Sequence, residues 1–185
     1  ARLLVRLGVR ADQVTIVGFV LGVGALPLLA TQHYLWALAF ILSNRLLDGL
    51  DGQVARLTRS TDRGAFLDIA LDFMFYALIP LGFALADSTA NALAAAVLLA
   101  AFIGTGSSFL AFSLMAEKRG LHAKNFPSKG IYYLGGLTEG AETIALFVSF
   151  CLWPDLFSSL AYFFAFACAL TILSRWIQGW RMLAD

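Results

Sequence analysis

Four of the five aspartates between positions 48 and 72 form two closely spaced pairs, one on each side of a short basic stretch, and long apolar segments flank this part of the chain. The first two are three positions apart and the last two are four apart, so on helices each pair would share one face. Two facing helices would gather all four carboxylates into one pocket, where their mutual repulsion requires a counter-ion. Hard divalent cations such as Mg²⁺ or Mn²⁺ take oxygen ligands of this kind. The candidate metal ligands are therefore Asp48, Asp51, Asp68 and Asp72.

Two glycines and an arginine accompany the aspartates. Gly52 and Gly64 offer no side chain to obstruct a nucleotide, and Arg56 could add a bidentate contact to a phosphate. Metal ions that bridge a diphosphate neutralise charge on the transferring and leaving groups. An aspartate that does not bind metal could take a proton from an attacking hydroxyl. The pattern predicts phosphoryl transfer from a diphosphate donor at a membrane surface.

The same residues resemble the signature of the CDP-alcohol phosphatidyltransferases. They read Asp48-x-x-Asp51-Gly52-x-x-Ala55-Arg56, followed by Gly64-x-x-x-Asp68-x-x-x-Asp72. The resemblance implies two divalent ions, Mg²⁺ or Mn²⁺, held by the first three aspartates, with the second and third bridging them. It implies that Asp72 is the general base. It also implies a CDP-binding set consisting of Gly52, Ala55, Arg56 and Gly64.

The resemblance also implies a reaction. An alcohol hydroxyl would attack the β-phosphorus of a CDP-linked donor, CDP-diacylglycerol above all, and release CMP in phospholipid synthesis. The roles could be exchanged, with a CDP-headgroup delivered to a lipid alcohol. Proteins that it resembles are six-helix homodimers, so we expect a homodimer among membrane lipids and no nucleic-acid partner.

One feature departs from the family pattern. Seven residues separate Arg56 from Gly64, where the pattern most often has eight. The missing residue would fall in the turn between two helices, and turns tolerate changes of length. We expect a difference between branches of the family rather than a loss of activity.

The elements that position these residues are apolar helices. The chain of 185 residues is 60% hydrophobic and 14% charged, whereas a soluble domain carries about 25% charged residues. A spanning helix needs about 20 apolar residues. Six apolar segments, at 14–30, 34–54, 65–86, 91–115, 138–153 and 157–178, predict an all-α integral membrane bundle of six helices in one domain, 1–185. The first of them carries Gly18-x-x-x-Gly22, which would let helices approach closely.

The basic residues predict the orientation of this bundle. All 13 lysines and arginines fall before the first segment, around the turn after the second, after the fourth, or at the end of the sixth. The positive-inside rule then places both termini in the cytoplasm and the aspartates at the cytoplasmic end of the second and third spans. Residues 1–10, with arginines on one side and leucines on the other, predict a short amphipathic interfacial helix. We expect a multi-pass protein of the inner (cytoplasmic) membrane.

Several hypotheses stay open at this level. A membrane prenyltransferase also binds Mg-diphosphate through aspartates, and a cation or proton transporter would explain intramembrane acids without chemistry. Asp12, near Thr15 at the start of the first span, could touch the nucleotide or cap a helix. Acceptor recognition is open for a further set of residues, each of which also has a plainer structural explanation: Lys129, Glu139, Glu142 and Arg175.

Overall fold

A computed structural model of the chain describes residues 1–120 and 137–184. Within these residues the protein forms seven α-helices and no strand. The helices are α1 Arg2–Arg6, α2 Ala11–Ala30, α3 Tyr34–Leu57, α4 Asp62–Ala86, α5 Ser88–Lys118, α6 Gly140–Leu152 and α7 Phe157–Met182. A 3-10 turn, Pro154–Leu156, directly precedes α7. The last six helices match the six predicted segments, and most extend past them at their polar ends.

Four of these helices are long and apolar enough to cross a membrane. They are α2, α4, α5 and α7, with mean hydropathies between 1.9 and 2.1, the last counted together with the turn before it. Helix α3 is 24 residues long, but charged residues occupy its second half. Helix α6 has only 13 residues. The protein is therefore a multi-pass helical membrane protein, while the full count of six spans and the cytoplasmic placement of both termini stay predictions.

The N-terminal helix is shorter than predicted. The sequence predicts an amphipathic helix over residues 1–10, but α1 ends at Arg6. The chain turns at Gly8, whose φ of +74° is a left-handed conformation that side-chain-bearing residues seldom adopt. Leu3 and Leu7 remain 68% and 69% exposed, as suits residues that face lipid. The location of α1 at the membrane interface stays a prediction.

Helix α2 packs against both α3 and α4, and α5 packs against α4 and α7. The apolar core lies mainly toward the end of the bundle far from the aspartates, and its centre is a stack of rings. Phe83 of α4 lies parallel to Tyr34 and to Phe157, with ring centroids 5.4 and 4.6 Å apart. Since this end is closed by aromatic packing, polar groups and open space concentrate at the other end.

Gly18 and Gly22 explain how α2 can approach both of its neighbours. A Cβ built on Gly18 would lie 3.1 Å from the Leu47 side chain of α3. A Cβ on Gly22 would lie 2.7 Å from the Phe75 ring of α4 and 3.0 Å from the Asn44 amide nitrogen of α3. The predicted close approach at the Gly18-x-x-x-Gly22 pair is therefore confirmed. It packs α2 directly against the two helices that carry the aspartates.

Gly22→Ala is expected to destabilise the fold by about 1–3 kcal/mol, because the added methyl overpacks the contact with Phe75 and Asn44. The matched control is Gly49→Ala, since a Cβ on Gly49 meets nothing within 4 Å. That control should be neutral or gain up to about 1 kcal/mol from its higher helix propensity. Thermal unfolding of both variants in detergent measures the difference. Equal unfolding temperatures would show that α2 has room to move away.

A candidate metal and nucleotide site

The four aspartates come from two helices that run in opposite directions. Residues 48 and 51 lie on α3, residues 68 and 72 lie on α4, and the two helices are joined by the turn 58–61. Thr61 caps α4, its hydroxyl accepting a hydrogen bond from the Gly64 N–H at 3.1 Å. This cap fixes where α4 begins. The seven residues between Arg56 and Gly64 are therefore divided among the end of α3, the turn 58–61 and the start of α4. The carboxylates face one another across the space between α3 and α4.

Three of the predicted metal ligands come together. One carboxylate oxygen each from Asp48, Asp51 and Asp68 lies within 4.8 Å of the others. We call these residues the three-aspartate group. Such a set of oxygen donors fits a hard divalent cation, and negative charge at this density favours one. Asp51 is the most deeply placed, with 5% exposure, and the Thr15 hydroxyl of α2 donates to it at 2.6 Å.

Asp72, the predicted general base and a further predicted metal ligand, instead pairs with a cation. Arg45 of α3 donates from Nη2 to Asp72 Oδ1 at 2.7 Å, and its Nη1 lies 3.6 Å from Asp48 Oδ2. The Arg45 side chain is only 9% exposed. In the sequence, Arg45 is one of the 13 basic residues that predict the orientation of the bundle. Its spacing of three from Asp48 is a signal for an ion pair, but no sequence pattern indicates its contact with Asp72.

The predicted nucleotide residues line the same end of the bundle. On α3, Gly52 and Arg56 are one turn apart, and a Cβ on Gly52 would meet only the Arg56 guanidinium, at 3.5 Å. Ala55 follows Asp51 by one turn and is half-buried. On α4, a Cβ on Gly64 would lie 3.1 Å from an Asp12 carboxylate oxygen. A side chain in place of either glycine would therefore occupy space beside polar groups. The roles of all four predicted residues in binding CDP stay predictions.

Asp12 does not cap the helix that contains it. The N-cap of α2 is Arg10, and its N–H donates to the Gln13 side chain at 2.9 Å. The Asp12 carboxylate lies instead beside Gly64 and 3.9 Å from the Arg63 guanidinium. Of the two hypotheses for Asp12, the structure favours a position next to the nucleotide residues.

A cavity of about 590 Å³ opens beside Asp68 and Asp72. Most of its wall is apolar and comes from α4 and α5, including Phe73, Tyr76, Ala77, Leu99, Phe102 and Ile103. Its polar residues include Glu139 and Arg175. Arg175 is 7% exposed and donates to the Thr105 carbonyl at 3.0 Å, so it faces the cavity inside the bundle rather than the lipid surface.

The two glutamates before and within α6 act at least as a helix cap. The Glu139 N–H donates to Glu142 Oε2 at 3.0 Å, the reciprocal pattern of a capping box. This confirms the plainer hypothesis for Glu142, while Glu139 also lines the cavity. Lys129 lies outside the described residues.

The fold and the site define a multi-pass helical membrane protein with an acidic centre suited to a divalent cation. Residues 9–183 match the CDP-alcohol phosphatidyltransferase family. The inner membrane protein YnjF of Escherichia coli (strain K12) is 54% identical over 182 residues, which cover 98% of this chain and 88% of that protein.

Two solved structures of the Mycobacterium tuberculosis phosphatidylinositol phosphate synthase are also similar. The one with CDP-DAG bound has a TM-score of 0.75 and 25% identity over 97% of this chain and 90% of that one. The complex with manganese and citrate has a TM-score of 0.74 and 26% identity, covering 97% and 86%. The chain belongs to the CDP-alcohol phosphatidyltransferase family, as the motif predicted.

Proposed function

We propose that this protein transfers a phosphatidyl group from CDP-diacylglycerol, or a related CDP-alcohol, to the hydroxyl of a small alcohol during phospholipid synthesis. The observation that carries the proposal is the three-aspartate group beside Gly52 and Arg56, with Asp72 held separately on Arg45. A metal site, a phosphate contact and a proton acceptor are what transfer from a diphosphate donor requires. The CDP-DAG bound to the mycobacterial relative supports the choice of donor.

Each group has a distinct role in the proposed reaction. Asp48, Asp51 and Asp68 would hold the divalent ions, whose charge would neutralise that of the diphosphate. Arg56 contacts a phosphate, while Gly52 and Gly64 leave room for the nucleotide. Asp72 accepts the proton of the acceptor hydroxyl as its oxygen bonds to the β-phosphorus. The bond from that phosphorus to the bridging oxygen breaks, and CMP leaves with the electron pair.

The apolar cavity beside Asp68 and Asp72 supports a lipid substrate. Its volume of about 590 Å³ and its largely aromatic and aliphatic wall suit part of a hydrocarbon chain. The exchanged reaction, in which a CDP-headgroup passes to a lipid alcohol, would use the same cavity for its acceptor. The proposal also includes a location in the inner membrane, a single domain, two bound ions, a homodimer and access to the site from the cytoplasm.

The test supplies purified protein in detergent with a CDP-linked donor and a panel of alcohols, and measures CMP. CDP-diacylglycerol with Mn²⁺ or Mg²⁺ should yield CMP with one member of a panel containing glycerol phosphate, serine, inositol and inositol phosphate, and chelation should abolish it. A CDP-headgroup donor with diacylglycerol tests the exchanged reaction. No CMP in any arm, together with no binding of either donor, would overturn the transferase proposal and favour the transporter hypothesis.

A further inference from the structure

Arg45 is held in place by more contacts than an ion pair requires. Its Nε donates to the Asn44 side chain at 2.7 Å, and Asn44 in turn donates to the Gly18 carbonyl of α2 at 2.9 Å. The guanidinium lies over the Phe75 ring, 4.4 Å from its centroid, and its Nη1 donates to the Tyr76 hydroxyl at 3.3 Å. Residues from α2, α3 and α4 therefore fix a single position for this charge.

The position matters because Asp72 lies one helical turn from Asp68, on the same face of α4. A carboxylate there has two competing partners. It can turn toward the cation bound by the three-aspartate group, or it can stay with Arg45, as it does at 2.7 Å. The first choice would commit its oxygens to the metal, whereas the second leaves an oxygen for another hydrogen bond.

We propose that Arg45 is a positioning residue that keeps the Asp72 carboxylate apart from the three-aspartate group and available to the acceptor hydroxyl. The inference rests on the proposed function, because it assigns Asp72 to proton transfer. A positioning role for Arg45 and a purely structural role predict different results. If Arg45 is removed, Asp72 becomes a metal ligand, so ion binding should tighten while transfer slows.

Arg45→Gln is the first test. Mn²⁺ titration of the purified protein, followed by electron paramagnetic resonance, should show binding tighter by on the order of tenfold, as another anionic ligand joins the site. Turnover should fall by on the order of a hundredfold, the scale of a lost general base or of a lost partner that orients it. If Arg45 had only a structural role, its loss would weaken both Mn²⁺ binding and turnover, and that result would overturn the proposal.

A double variant identifies the group that moves. In Arg45→Gln combined with Asp72→Asn, the gain in Mn²⁺ affinity should disappear, because an amide is a poorer ligand than a carboxylate. A gain that persists would mean that Arg45 acts only through its own charge, and would overturn the positioning role. Arg45→Lys keeps a cation without the two-pronged contact, so it should shift affinity and turnover in the same directions by less. It also serves if the glutamine variant folds poorly.

Arg181→Gln is the matched control, since Arg181 is exposed in the last turn of α7 and lines neither the space around the aspartates nor the apolar cavity. It should leave Mn²⁺ affinity and turnover unchanged. Mn²⁺ binding does not depend on turnover, so the two proposals can fail separately. Unchanged Mn²⁺ affinity in Arg45→Gln would overturn the positioning role alone, whereas absence of CMP from the unaltered protein would overturn the transferase.

Discussion

Asp72→Asn is expected to abolish turnover while the protein still binds the CDP-linked donor nearly as tightly as before. The amide has the size of the carboxylate but cannot accept the proton of the acceptor hydroxyl, and loss of a general base costs about 10²–10⁴-fold. The amide oxygen can still accept the hydrogen bond from Arg45 Nη2, which spans 2.7 Å. The fold and the three-aspartate group should therefore persist. CMP release and equilibrium binding of the donor measure the two effects.

The opposite outcome has a definite meaning for this variant. If donor binding and turnover fall together, Asp72 contributes to the metal site, as its place among the predicted ligands allowed. Unfolding temperature in detergent must accompany both measurements, because removing a charge opposite the buried Arg45 also affects stability.

Asp51→Asn is expected to lose ion binding, donor binding and turnover together. Asp51 is the least exposed of the three-aspartate group at 5%, and the Thr15 hydroxyl fixes its orientation at 2.6 Å. Loss of a residue that merely supports a ligand lowers metal affinity by about 10–100-fold, so loss of the ligand itself should exceed that range. Mn²⁺ titration and CMP release provide the readout.

Asp62→Asn supplies the matched control for this prediction. The same substitution is made on the neighbouring helix, at an exposed residue in the first turn of α4. It removes a favourable charge at a helix N-terminus, worth about 0.3–1 kcal/mol, and should leave Mn²⁺ affinity unchanged. If Asp51→Asn retains Mn²⁺ affinity within the range of the control, the three-aspartate group is not the metal site.

Much of the fold was predictable because burial in lipid imposes a simple rule. Every backbone polar group must be satisfied within the segment, so a long apolar run in a membrane forms a helix. The predicted segments accordingly match α2 to α7 to within a few residues, apart from their polar ends. The amphipathic pattern at 1–10 did not predict the break at Gly8. The periodic spacing of the arginines continues past this glycine, whereas its backbone has a positive φ that does not occur in a right-handed helix.

The site was predictable only in part, for a geometric reason. Spacing places Asp48 with Asp51, and Asp68 with Asp72, on common faces, and three of the four do converge. Which carboxylate meets which cation depends on how closely α2 draws α3 and α4 together, a distance set by contacts at Gly22. Sequence spacing carries no information on that distance. The pairing of Arg45 with Asp72, which are 27 positions apart, therefore required the structure.

Arg175 illustrates the same limit on a different helix. Its place near the end of the last apolar segment fitted either a side chain that reaches the membrane surface or one that reaches the site. Only the packing of α5 against α7 shows its guanidinium at the Thr105 carbonyl, inside the cavity. Helical periodicity predicts on which face of its helix a residue lies. Which neighbouring helix covers that face depends on how the bundle packs.

The shortness of α6 has a consequence for the membrane as a whole. Its 13 residues rise only about 20 Å, against about 30 Å for the hydrocarbon layer. Helix α6 begins at Gly140, where a Cβ would lie 3.8 Å from the Tyr76 hydroxyl, one turn beyond Asp72. We expect the reacting groups, which lie next to the start of this short helix, to fall within the cytoplasmic leaflet, as the proposed access from the cytoplasm requires. Each new phospholipid would then enlarge that leaflet alone, and equal growth of the other leaflet would require a separate protein that moves lipids across the bilayer.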